Sequence, residues 1–255
     1  MDSKVNFFVV TKKLRKNILD FINDLILKGL MINKFLKRYG LLILFFIVFS
    51  IVGVSSFNYV QSPTKKLPIY SPSMVSDELY EEDLRYVKKY HRINDFSLYN
   101  QNGNQVTQDN YSEKIYVADF FFTTCPDICP IMTGNMLYLQ ENLKDTNVML
   151  ASFSVTPEID TVEVLKEYST LKGVDDSKWN LMTGDKKQIY DLARKSYLVA
   201  KAIPDAKNHG MIHTENFVLV DKEKRIRGYY DGTKIEDMDK LLSDIKILIK
   251  SYENS

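Results

Sequence analysis

Residues 115–130 read IYVADFFFTTCPDICP. The stretch opens as a continuous apolar run of β-branched and aromatic residues, the pattern of a central strand covered on both faces. It closes on Cys125 and Cys129, each followed by proline and together the only cysteines in the chain. Pro130 suits the first turn of a helix, where its missing N–H is not needed. Met132, Met136, Leu139 and Leu143 then recur at helical intervals. A buried strand therefore runs straight into a thiol pair at the start of a helix. Near the positive end of that helix dipole, Cys129 is expected to favour thiolate over thiol.

Working outward, FSLYNQNGNQVTQ (96–108) predicts a β-hairpin, with Asn-Gly supplying the positive φ of the turn. VMLASFSV (148–155) reads as a second buried strand. DTVEVLKEYSTLKG (160–173) has Asp160 as a helix N-cap and Gly173 as its stop. DKKQIYDLARKSYL (185–198) predicts another helix, ENFVLVDKEKRIRGYYDG (215–232) a hairpin, and IEDMDKLLSDIKILIK (235–250) a closing amphipathic helix. Strands alternating with helices, then a hairpin and a helix, fit an α/β fold of the thioredoxin-like sandwich type, with the N-terminal hairpin as an addition.

Ahead of this head the sequence is of another kind. From Gly40 it runs GLLILFFIVFSIVGVSSF, with no charge until Lys65. That is long enough to span the hydrocarbon core, so residues 40–58 are expected to form a single transmembrane anchor. A cleaved signal peptide would carry a shorter apolar region. Lys12, Lys13, Arg15, Lys16, Lys28, Lys34, Lys37 and Arg38 precede the span, whereas only Lys65 and Lys66 follow closely. The positive-inside rule then puts residues 1–39 in the cytoplasm and the C-terminal head outside it. Asp20 and Asp24 suit a mitochondrial presequence badly, so the expected place is a bacterial inner membrane with a periplasmic head. Residues 17–36 read as an interfacial helix. A second reading takes Met31 as the start, with residues 1–30 an upstream extension. Residues 59–92 include QSPTKKLPIYSPSM, Pro- and Ser-rich without periodicity, and read as a linker to a domain over 93–252.

The chain has 255 residues and a formal net charge of +1, which argues against a nucleic-acid partner. Two cysteines are too few for a disulfide scaffold, and C-x-x-x-C falls short of a four-ligand zinc site. An inert disulfide closing so short a loop adds little chain-entropy stabilisation. Two thiolates are soft ligands for Cu(I), zinc or iron–sulfur chemistry, and a selective site needs a third donor. The chain has three histidines. His91 precedes the globular pattern and reads as a surface residue. His213, in NHGMIHTENFVLVD, stands just before a predicted strand, and His209 four residues earlier is an alternative donor. Met132 and Met211 are soft, but read as packing residues. Asp127 reads as a turn former or a local charge.

At FFFTTCPDICP (120–130), SVTPEIDTVEVLKEY (154–168), WNLMTGD (179–185) and HTENFVLVD (213–221) the sequence resembles the Sco/SenC family of membrane-anchored copper proteins. The resemblance covers roughly Ile93 to the C-terminus. It implies a thioredoxin-like fold, one copper ion held by Cys125, Cys129 and His213, and a role in assembling the binuclear copper site of a respiratory haem–copper oxidase. Many members carry Asp-Pro-Glu-Arg-Asp where this chain has Thr156-Pro157-Glu158-Ile159-Asp160. Any role of the missing Asp and Arg in docking or redox tuning has no residues here. Delivery by ligand exchange would make the protein a carrier rather than an enzyme, its partners an upstream copper donor or thiol reductase and the receiving oxidase subunit. The alternative is a thiol–disulfide oxidoreductase that keeps a partner's cysteines reduced. Peroxide reduction or copper/redox sensing is a third, weaker reading.

Overall fold

The computed structural model describes residues 33, 37–57, 66–75, 91–200 and 214–253. The chain divides into two compact units, residues 1–64 and 65–255. In the first, helix α1 (Lys37–Phe57) is 21 residues long and apolar enough to cross a membrane. At 1.5 Å per residue it reaches about 30 Å, matching a hydrocarbon core. Leu41, Phe45, Phe49 and Phe57 are all exposed, and no part of its most apolar window is buried within the protein. It begins three residues before the expected anchor, at Lys37.

The second unit is built on a seven-stranded mixed sheet in the order β2-β1-β5-β4-β3-β6-β7. Its strands are β1 (Ser97–Asn100), β2 (Gln105–Thr107), β3 (Tyr116–Phe121), β4 (Met149–Ser154), β5 (Trp179–Thr183), β6 (Asn216–Val220) and β7 (Ile226–Asp231). Its helices are α2 (Cys129–Asn142), α3 (Val162–Lys172), α4 (Lys186–Asp191) and α5 (Ile235–Glu253). β3 is central: Ala118 pairs with Ala151 of parallel β4 on one side and with Val218 of antiparallel β6 on the other. All six β3 residues are buried, which is why that run shows no alternation.

Alternate β3 side chains serve two cores. Val117 and Phe121 face a layer with Met132, Met136 and Leu139 of α2, Leu165 of α3, and Leu241 and Ile245 of α5. Tyr116, Ala118 and Phe120 face the opposite layer, with Ile189 of α4. There Phe120 stacks on Phe153 with centroids 5.1 Å apart, and Tyr197 closes the cluster at 5.5 Å from Phe120. Helices on both faces of a mixed sheet make the expected α/β sandwich.

Both predicted hairpins form. In β1–β2 the Asn100 carboxamide oxygen accepts from the N–H groups of Asn102 and Asn104, both at 3.0 Å, while Gly103 takes φ 72°. β5 has no counterpart among the expected elements; it pairs in parallel with β4 and antiparallel with β1. The helix over 185–198 is α4 followed by a π turn at Leu192–Ser196, with the Tyr197 N–H bonded to the Leu192 carbonyl at 2.8 Å.

Three expectations are corrected. The N-cap of α3 is Thr161, whose hydroxyl accepts from the Val164 N–H, and not Asp160, which is buried. His91 is not a surface residue: it is buried, and its Nε2–H donates to the Ser196 carbonyl at 2.7 Å. Residues 66–75, read as linker, pack on the head. Leu67, Ser71 and Pro72 are buried, the Tyr70 N–H bonds the Ile226 carbonyl at 2.9 Å, and Arg227 donates to the Leu67 and Pro68 carbonyls. A segment held mainly through its carbonyls leaves no side-chain period to read.

Candidate functional site

β3 ends at Phe121, and the chain turns before α2 begins. The Cys125 N–H reaches back to the Phe122 carbonyl at 3.4 Å. Cys129 is the first residue of α2, Pro130 lies in its first turn, and the preceding Ile128 offers no side-chain cap. Both cysteines are free thiols, Cys125 partly open to solvent and Cys129 buried at 5% exposure. They are close enough to hydrogen-bond to each other.

Their titration runs opposite to the dipole argument. Burial is the largest influence on each. At Cys129 it dominates, and with the nearby Cys125 and Asp119 charges it pushes the thiol up to about 12. At Cys125 burial raises the value, but the backbone N–H groups of Asp127, Cys129 and Ile128 and the Cys129 thiol stabilise the thiolate, and the net shift is downward. The expected thiolate at Cys129 is therefore corrected: the helix start stabilises the sulfur in front of it, Cys125, and Cys129 holds its proton.

Two further groups lie under the pair. Asp119, an acid inside the apolar β3 run, is buried and accepts from the Ser152 hydroxyl, which itself accepts from Trp179 Nε1 at 2.8 Å. Burial raises its carboxyl to about 7, against the opposing Ser152 bond. Tyr168 of α3 places its hydroxyl 2.8 Å from Thr133 of α2, with its ring 5.9 Å from Phe121. Neither had been singled out from sequence, although a lone charge in the strand was a visible signal for Asp119.

Of the other candidates, Met132 is a core residue, Asp127 is exposed, and His91 is bonded to the π turn. His209, Met211 and His213 lie outside the described residues, as do residues 1–32 with most of the expected interfacial helix. Among the described residues no cluster of three His, Cys, Asp or Glu side chains is poised for a metal. The structure brings Cys125 and Cys129 together and is silent on the third donor.

A mixed sheet covered by helices on both faces, with two free thiols where its central strand meets a helix, defines a thioredoxin-like domain. A family model described as SCO1/SenC matches residues 85–250, and the chain belongs to that family. The SCO1 protein homolog of Bacillus subtilis is 32% identical over 159 residues, covering 61% of this chain and 82% of that protein. The crystal structure of a SCO1/SenC family lipoprotein from Bacillus anthracis matches with TM-score 0.57 and 31% identity, over 62% of this chain and 95% of the other. BsSco, a member of the Sco family of cytochrome c oxidase assembly proteins in which a disulfide switch was identified, matches with TM-score 0.54 and 31% identity, over 61% and 92%.

Proposed function

We propose that the protein is a membrane-anchored copper carrier that delivers copper to, or matures, the binuclear copper site of a respiratory haem–copper oxidase. The observation that carries this reading is the pair of adjacent free thiols where the turn after β3 meets α2, one of them partly open to solvent. Two thiolates with an imidazole suit copper, which is cargo here rather than a resident cofactor. Cys125, Cys129 and His213 are the donors we assign. Capture releases the Cys129 proton, because the thiolate and not the thiol is the ligand. Transfer proceeds by ligand exchange, the receiving subunit's donors replacing these three in turn. The basic residues before α1 support a cytoplasmic N-terminus and a periplasmic head at a bacterial inner membrane.

A second reading, thiol–disulfide exchange with a partner's cysteines, is favoured by the asymmetry of the two sulfurs. An accessible, acidic Cys125 suits attack, and a buried, protonated Cys129 suits resolution of the mixed disulfide.

Copper loading of the detergent-solubilised, reduced chain tests the first reading. One copper per chain is expected, with affinity lowered at least tenfold in His213→Ala and site loading lost in Cys125→Ser. Equal, weak binding in all three proteins contradicts copper carriage and leaves thiol exchange.

A further inference from the structure

The segment between β4 and α3 contains a buried carboxylate that α3 does not need. Asp160 is 0% exposed, and the N-cap role beside it is filled by Thr161. Its hydrogen bonds run elsewhere. Oδ1 accepts from the Thr123 hydroxyl; Oδ2 accepts from the Thr123 N–H at 3.2 Å, the Ser154 hydroxyl at 2.5 Å and the Thr156 hydroxyl at 3.1 Å. Among the described residues no Lys or Arg pairs with it. A buried carboxylate without a cation is costly unless its lone pairs are filled, and four donors fill them here. Two of the four come from Thr123, two residues before Cys125 and inside the turn that the Cys125 N–H closes on Phe122.

We propose that Asp160 is the positioning residue of the cysteine loop: by holding Thr123 against the exit of β4 it fixes Cys125 opposite Cys129. The strand before Thr123 is set by its ladder, and the helix after Cys129 by its packing. Between them, Phe122, Cys125 and Ile128 pack against the core, and the two Asp160–Thr123 bonds tie the backbone and hydroxyl of the turn to the segment that leaves β4. Fixing the turn raises the effective concentration of one sulfur at the other, which a free loop would dilute. This inference rests on the two thiols acting as a pair, and not on copper.

The pairing can be read without metal, by equilibrating the full chain in detergent with reduced and oxidised glutathione. The Cys125 thiolate attacks oxidised glutathione and releases one glutathione thiolate. Cys129, losing its proton to solvent, then displaces the second glutathione and closes the protein disulfide. Two electrons pass to the glutathione, which leaves as two thiols. The disulfide equilibrium constant is expected to fall at least tenfold in Asp160→Ala, about 30 mV for this two-electron couple. Asp160→Asn can still accept from the three donors at Oδ2, and the Thr123 hydroxyl can turn to accept from its amide. It should therefore recover most of the loss, which separates positioning from charge. Thr123→Val, which removes one donor and leaves the carboxylate, is expected to lower the constant about threefold and stands in if Asp160→Ala does not fold. Ile226→Ala, buried on the opposite face of the sheet, serves as the stability control and should leave the constant unchanged. A folded Asp160→Ala or Thr123→Val chain with the wild-type constant, or an Ile226→Ala chain shifted as far as either, overturns the proposal. Failure of copper loading in wild type leaves this measurement intact, so the two readings fail separately.

Discussion

Replacing Asp119 with Asn should make the protein more stable, and more so as the pH rises. The carboxyl lies inside β3, is 2% exposed, and titrates near 7 instead of 3.8. The fold therefore holds a proton that the unfolded chain releases near pH 4. Between those values the native state binds more protons, so this group's contribution declines as pH rises and is fully lost above about 7. A displacement of about three units corresponds to roughly 4 kcal/mol at most, at 1.36 kcal/mol per unit. Asn is isosteric, and its carbonyl oxygen can take the Ser152 hydroxyl bond. The variant should match wild type near pH 4 and exceed it at pH 8 by about 2–4 kcal/mol. Trp179, the only tryptophan, is bonded to the same Ser152 and reports both unfolding and local protonation. Guanidinium unfolding of the full chain in detergent, followed by Trp179 fluorescence across pH, gives the stability difference. The native fluorescence should show a step near pH 7 that Asp119→Asn lacks. A variant no more stable at pH 8 than wild type, with the step unchanged, refutes the reasoning.

The sulfurs should differ sharply in reactivity. At pH 7, iodoacetamide should modify Cys129→Ser, which retains Cys125, at least tenfold faster than Cys125→Ser; equal rates would remove the asymmetry. Burial lowers the His91 pKa, only partly offset by the Ser196 bond, so the fold favours the neutral ring. Its contribution is present above about pH 6.5 and is lost as pH falls toward the lowered native value. His91→Gln should flatten the stability curve between pH 7 and 5, and a curve parallel to wild type counts against this. Arg227 bonds Asp221 at 2.9 Å as well as the Leu67 and Pro68 carbonyls. Arg227→Ala should cost about 2–4 kcal/mol and speed proteolysis within 66–75; unchanged cleavage would show that the clamp does not hold that segment.

Much of this architecture is written locally. The β3 run and the Met132–Met136–Leu139 spacing place a strand and a helix on either side of the thiols, because each depends on neighbours in sequence. The elements missed depend on distant partners. β5 carries Asn180 within a buried strand, a polarity that makes sense only once Asn100 donates to it at 3.0 Å from β1 and it donates to the Tyr111 hydroxyl. Asp160 sits where a helix cap belongs and looks like one until Thr123 and Ser154 are seen to point at it. His91 stands among Lys88, Lys89 and Arg92 in sequence and is buried by the π turn more than a hundred residues later. The thiol pair was legible from spacing, but not which sulfur ionises, since burial of Cys129 outweighs its place at the helix start.

The measurement that bears most directly on copper delivery is transfer itself. The copper-loaded chain is mixed with the reduced, copper-free copper domain of a haem–copper oxidase subunit, and metal is followed on both proteins after separation. Copper should leave this chain and appear on the acceptor in equal amount, with no transfer from a chain carrying Cys125→Ser. Copper retained by this chain against the reduced acceptor would contradict delivery; in a parallel mixture of the copper-free, reduced chain with an oxidised acceptor, disulfide appearing on this chain as thiols appear on the acceptor would then favour thiol exchange in its place.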